Sequence, residues 1–179
     1  MTTQFPFSPE FVERSDTPLV HVRLGPDGGP VAATAARKVH APKERVWRVM
    51  TDLDGLVHRV PMMDRIHIEG SRATVHLKFG IGLFSARFAF KVERRIEEGR
   101  SLELHYLEGE PKDLLIRHAL HEASTPDATL LYTTVGFDAF SLGFLAKYFL
   151  KHHPEIRFGV FPGSALTLSD SVVRAVARP

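Results

Sequence analysis

Val39-His40-Ala41-Pro42-Lys43-Glu44-Arg45-Val46-Trp47-Arg48-Val49-Met50-Thr51-Asp52 changes its period part-way along. Before it, residues 31–40 form a β-type run rich in small side chains. Pro42 then suits a first helical turn, where a missing N–H costs nothing. Val46, Val49, Met50 and Leu53 recur at helical spacing and make one apolar stripe. Asp52 to Gly55 ends that helix, and a short second helix through Leu56, Val57 and Val60 stops at Pro61.

Downstream, from residue 62 to 140, the period is two. Ala73, Val75, Leu77, Phe79 and Ile81 alternate with Thr74, His76, Lys78 and Gly80. Phe84, Ala86, Phe88, Phe90 and Val92 form a second such series; Leu102, Leu104 and Tyr106 a third; Leu114, Ile116 and Leu120 a fourth. Half-buried antiparallel strands produce this pattern, one face dry and one wet. Residues 129–140 read as a last strand with mixed faces, so its inward side stays open. Two helical stretches follow. Phe144, Leu145, Tyr148 and Phe149 make a stripe ended by Pro154. Pro162 and Gly163 open a final helix, with Leu168, Val172, Ala175 and Val176 on one face and Ser169, Arg174 and Arg178 off it.

Upstream, residues 1–30 hold five prolines and a glycine-rich turn around one short strand, residues 17–24. They read as an extension that packs on or pairs with a main domain of residues 31–179. The whole chain of 179 residues is ordinary in composition, 44% hydrophobic and 25% charged, which excludes wholesale disorder. It has no Cys, so disulfides, thiolate metal sites and cysteine nucleophiles are excluded. A net charge of +2 is too small for a concentrated nucleic-acid-binding face. Neither a membrane-spanning run nor a signal peptide is evident, and a cytoplasmic location is the default expectation.

The quoted stretch resembles the opening of the START, polyketide-cyclase and Bet v 1-like superfamily. Members run v-x-A-P-x-E-x-V-W-x-x-x-x-D from the first strand into the first helix, and Ala41, Pro42, Glu44, Val46, Trp47 and Asp52 match. Leu56, Val60 and Pro61 stand where many members have apolar residues and a proline. The similarity spans about residues 31–178, and the coenzyme Q-binding START-like branch is one placement within it. It implies an α+β helix-grip fold: a curved antiparallel sheet of about six to seven strands, two short helices after the first strand, and a C-terminal helix gripped over a hydrophobic cavity. Members bind lipids, sterols, ubiquinone or polyketides, and a minority catalyse cyclisation or hydrolysis. The N-terminal extension and the stretch from Phe144 to Phe161 depart from the usual pattern.

In such a fold the inward residues of the sheet, Val75, Leu77, Phe79, Phe88, Phe90, Leu104, Tyr106, Ile116 and His118, line the cavity. Leu168, Val172 and Val176 close it from the helix. Binding then rests on apolar burial with few polar anchors and needs no cofactor. A cyclase or aromatase is the alternative, with Tyr106 and His118 polarising a ketone; a ligand-free interaction module is a third. His118 shares its face with Leu114, Ile116 and Leu120, beside Tyr106. There it needs a partner, from Tyr106, a water or a ligand, because a bare buried polar group costs about 1–3 kcal/mol.

The ten histidines invite a metal site, yet His118 and His121 point to opposite faces of a strand, and His152-His153 have only Glu155 nearby. No metal site is expected. Asp138 is either an acid/base group or a solvated strand end. The stripe with Phe144, Lys147, Tyr148 and Lys151 either packs on the sheet edge or lies on an anionic membrane surface.

Overall fold

The structure, a computed structural model, describes residues 5–60, 62–81 and 84–178; for residues 56, 79–81, 84–86 and 145 it describes the backbone alone. Pro61, predicted to stop the second short helix, lies outside the described residues.

A short helix α1 (Pro9–Arg14) leads into β1 (Leu19–Leu24) and β2 (Pro30–Val39). Then come α2 (Lys43–Thr51) and a 3-10 turn, Asp54–His58, the two short helices expected after the first long strand. Six strands follow in a meander: β3 (Met63–Glu69), β4 (Arg72–Ile81), β5 (Phe84–Glu97), β6 (Ser101–Gly109), β7 (Leu115–Glu122) and β8 (Thr129–Gly136). The chain closes with α3 (Gly143–His152) and the long α4 (Arg157–Ala177). All strands form one curved antiparallel sheet in the order β1-β2-β8-β7-β6-β5-β4-β3.

Eight strands exceed the six to seven expected because β1 pairs with β2 from Leu19 opposite Ala36 onward. The extension thus extends the sheet by an edge strand. α1 was not legible: six residues are too few for helical periodicity, and packing holds it. Ser8 caps it by accepting from the Phe11 amide, and Val12 is fully buried against Ala36, Ala119, Leu130 and Tyr132 on the outer face.

α4 lies across the inner face over β2, β8 and β1. The alanines of β2 allow this approach: Ala33 and Ala35 sit beneath Phe161 and Ala165. Arg37 of β2 pairs with Asp170 of α4 and ties helix to sheet. α4 begins five residues before the expected Pro162, which stands inside it. Proline there removes one ladder hydrogen bond, and burial of Phe161 and Ala165 outweighs that loss. Ser169, expected off the apolar face, is fully buried for the same reason: the packed face runs through Phe161, Ala165, Ser169, Val172 and Val176.

The ambiguity of residues 129–140 also has a physical cause. The strand ends at Gly136, and both faces of β8 are dry. Leu131 and Val135 join the inner clusters under α4, whereas Leu130 and Tyr132 join the outer one under α1.

Candidate functional site

The inner face carries fully buried and half-buried side chains. Val75, Phe90, Leu104, Val172 and Val176 are buried in one cluster with Val46, Met50 and Leu53 of the α2 region. Leu77, Tyr106, Ile116 and Leu168 pack on that cluster but are only half-buried. Phe88, cross-strand from Leu77, is half-buried too. The Phe79 side chain lies outside the described residues, although its backbone pairs with Ala86 in β4–β5. Eleven of the twelve candidate residues, His118 among them, thus lie on the inner face of the sheet or on the side of α4 packed against it.

α3 starts beside Phe88 of this face. Gly143 has φ +80°, and a Cβ there would lie 3.8 Å from Cε1 of Phe88. Glycine is the residue for that left-handed turn. The aromatic stripe of α3 does not pack on the sheet edge, which corrects that reading. Among the described side chains of α3, Leu150 is buried against the core, while Phe144, Tyr148 and Phe149 face solvent.

His118 sits on the inner face of β7, buried, with Nδ1 3.0 Å from Oγ1 of Thr133 on β8. Loss of hydration on burial pushes its pKa down to about 4, so the ring is neutral at pH 7. Its Nε2 has no hydrogen-bond partner among the described residues. The expected neighbour differs. Register places Leu102, not Tyr106, across from His118, and the Tyr106 hydroxyl donates to the Gly109 carbonyl at 3.2 Å. Tyr106 and His118 are not assembled as a pair.

A second polar group was missed. Oγ of Ser169 is buried and has no hydrogen-bond partner. A helical serine ordinarily satisfies itself on the carbonyl four residues back. Placing the start of α4 at Pro162 hid the register that turns Ser169 inward.

The other histidines behave as solvated or locally paired groups. His121 lies on the outer face, its ring 4.8 Å from Phe5 and 5.5 Å from Tyr132. His153 Nδ1 is 3.2 Å from Glu155 Oε1. Among the described residues no three His, Cys, Asp or Glu side chains cluster as metal ligands. Asp138 caps the 3-10 turn Ala139–Ser141 by accepting from the Phe140 amide at 2.9 Å, a structural use.

The larger of two described pockets, about 950 Å³, is an open groove on the outer face. Its floor carries Thr34 and Thr134, whose hydroxyls are 2.8 Å apart, between His21 of β1 and Arg117 of β7. Two of its three arginines are already engaged. Arg117 pairs with Glu103 at 3.1 Å and lies under the Phe5 ring, and Arg157 pairs with Asp27 at 3.1 Å. The smaller pocket, about 570 Å³, lies between α2 and the β5–β6 turn around Trp47 and Arg100.

A scan of the sequence against protein-family models finds no match, and neither does a search of the curated proteins. The fold is similar to solved structures at low identity. A START superfamily protein from Mycobacterium smegmatis superposes with a TM-score of 0.62 at 15% identity, over 82% of this chain and 97% of that one. The Zhui aromatase/cyclase from a Streptomyces species gives 0.60 at 16%, over 82% and 93%. A protein from Thermus thermophilus gives 0.61 at 18%, over 80% and 94%. The chain is thus an α+β protein of the helix-grip class. Within that class its fold is START-like, as the motif from Val39 to Asp52 implied.

Proposed function

We propose that this chain binds a hydrophobic small molecule, of lipid, quinone or polyketide-like chemistry, between the inner face of the sheet and α4. The observation that carries the reading is a group of half-buried side chains on that face. Leu77, Phe88, Tyr106, Ile116 and Leu168 are apolar or aromatic, directed inward, and left half-buried. Covering roughly 300 Å² of apolar ligand surface contributes about 7 kcal/mol before the cost of association. Nε2 of His118 supplies one polar anchor for a carbonyl or hydroxyl, and the Ser169 hydroxyl a second. The helix-grip fold, shared with a START superfamily protein, supports the same reading.

Native mass spectrometry of the purified chain after incubation with a lipid, quinone and polyketide mixture tests it. A retained adduct at one per chain is the expected result.

A cyclase is the second reading, favoured by the likeness to an aromatase/cyclase and by polar groups on an apolar face. A catalyst needs two such groups converging on one bound ketone, whereas a carrier needs one. Conversion of a poly-β-ketone, followed by chromatography and mass spectrometry, separates the two.

A further inference from the structure

We infer that α3 and the residues flanking it form a docking surface for an anionic lipid bilayer, placing the proposed ligand site beside the membrane. Six of the ten described exposed large hydrophobic residues, Phe140, Phe144, Tyr148, Phe149, Ile156 and Phe158, fall within nineteen positions of sequence. Phe144 is 81% exposed, an unusual state for phenylalanine outside an interface. At 100° per residue, Phe144, Tyr148 and Phe149 lie on the arc of α3 opposite buried Leu150.

Charge selects the occupant. Lys147 and Lys151 border the aromatic arc, α3 contains no acidic residue, and neither ammonium has an ion-pair partner among the described residues. The nearest acid along the chain, Glu155, lies beside His153, and the carboxylate of Glu110 stands at the N-terminal end of α3, at Gly143, paired with neither lysine. An aromatic arc edged by free lysines is complementary to an interface of acyl chains and anionic headgroups. A second copy of the chain fits worse, because a two-fold contact through this face brings like-charged lysines together.

Position gives the surface its purpose. The α3 N-terminus adjoins Phe88, a half-buried residue of the inner face, so a docked α3 would hold the proposed ligand site beside the bilayer. This purpose rests on the ligand-binding reading; the test of docking does not.

The experiment is co-sedimentation of the full chain with phosphatidylcholine vesicles and with vesicles containing about one-third phosphatidylglycerol. Expected is at least about tenfold stronger binding to the anionic vesicles, weakening as salt is raised. Replacing Lys147 and Lys151 by Gln costs about fivefold each. Phe144→Ser with Phe149→Ser costs at least about tenfold; both positions are exposed, so folding is spared, and unchanged thermal unfolding checks this. Equal binding to both vesicle types, no binding, or a wild-type dimer dissociated by the Phe→Ser changes would overturn the inference. An adduct retained without vesicle binding defeats docking alone; vesicle binding without an adduct defeats the ligand reading alone.

Discussion

Nδ1 of His118 and Oγ1 of Thr133 lie 3.0 Å apart across β7 and β8, on the face that α4 covers. That contact occupies one ring nitrogen and leaves Nε2 as the single hydrogen-bonding atom of the ring still available. Whichever partner donates the shared proton, Nε2 takes the opposite role toward a ligand.

His118→Leu removes this atom while keeping the volume apolar. Affinity for an oxygen-bearing ligand then falls about tenfold, equivalent to about 1.4 kcal/mol. Titration of the ligand identified by native mass spectrometry checks this; a change within twofold would show that His118 does not orient the ligand.

The same ring makes stability depend on pH. Its folded pKa, about 4, lies below the ordinary 6.5, so the unfolded chain binds the extra proton between those values. The contribution of His118 is fully present above pH 6.5 and is lost as pH falls toward 4. Urea unfolding at pH 7 and pH 5 should differ by about 2 kcal/mol more in wild type than in His118→Leu. Equal pH slopes for the two proteins would place the histidine in water.

Ser169 gives a test of the opposite sign. Its buried hydroxyl has no protein partner, so Ser169→Ala removes an unsatisfied group at little packing cost. The variant is expected to be about 1 kcal/mol more stable without ligand, and to bind an oxygen-bearing ligand more weakly. A stability loss above about 1 kcal/mol would mean that an ordered water already satisfies the hydroxyl.

Gly109 ends β6 with φ +102°, and a Cβ there would stand 2.2 Å from the Ala89 carbonyl oxygen. Its own carbonyl holds the Tyr106 hydroxyl. Gly109→Ala strains the backbone and clashes with β5, so a loss of at least about 2 kcal/mol in chemical unfolding is expected. A loss below about 0.5 kcal/mol would show that the turn relaxes freely.

These residues show what sequence can carry. Period-two runs such as Ala73, Val75 and Leu77 and the helical spacing of Val46, Met50 and Leu53 report a single dry side, and both placed their side chains on the inner face. Residues buried on two sides carry no such signal. β8 is dry on both faces because α1 covers the outer one, and α1 is too short to announce itself. Cross-strand register was also illegible. His118 was set beside Tyr106 by alternation alone, but the meander aligns it with Leu102. Pro162 misdirected the start of α4, since proline reads as a boundary even where tertiary burial carries the helix through it. The outer groove was missed because Thr34, Thr134, His21 and Arg117 come from four different strands that only the sheet order brings together.

The proposed ligand site is on the α4 side of the sheet, although the groove of about 950 Å³ lies on the other side. Tryptophan scanning separates the two. Ile116→Trp fills the half-buried inner end, and Arg23→Trp fills the outer groove, each checked for unchanged circular dichroism. Native mass spectrometry with the lipid, quinone and polyketide mixture should show the adduct abolished by Ile116→Trp and retained by Arg23→Trp. The reverse pattern, or an adduct indifferent to both, would contradict the account.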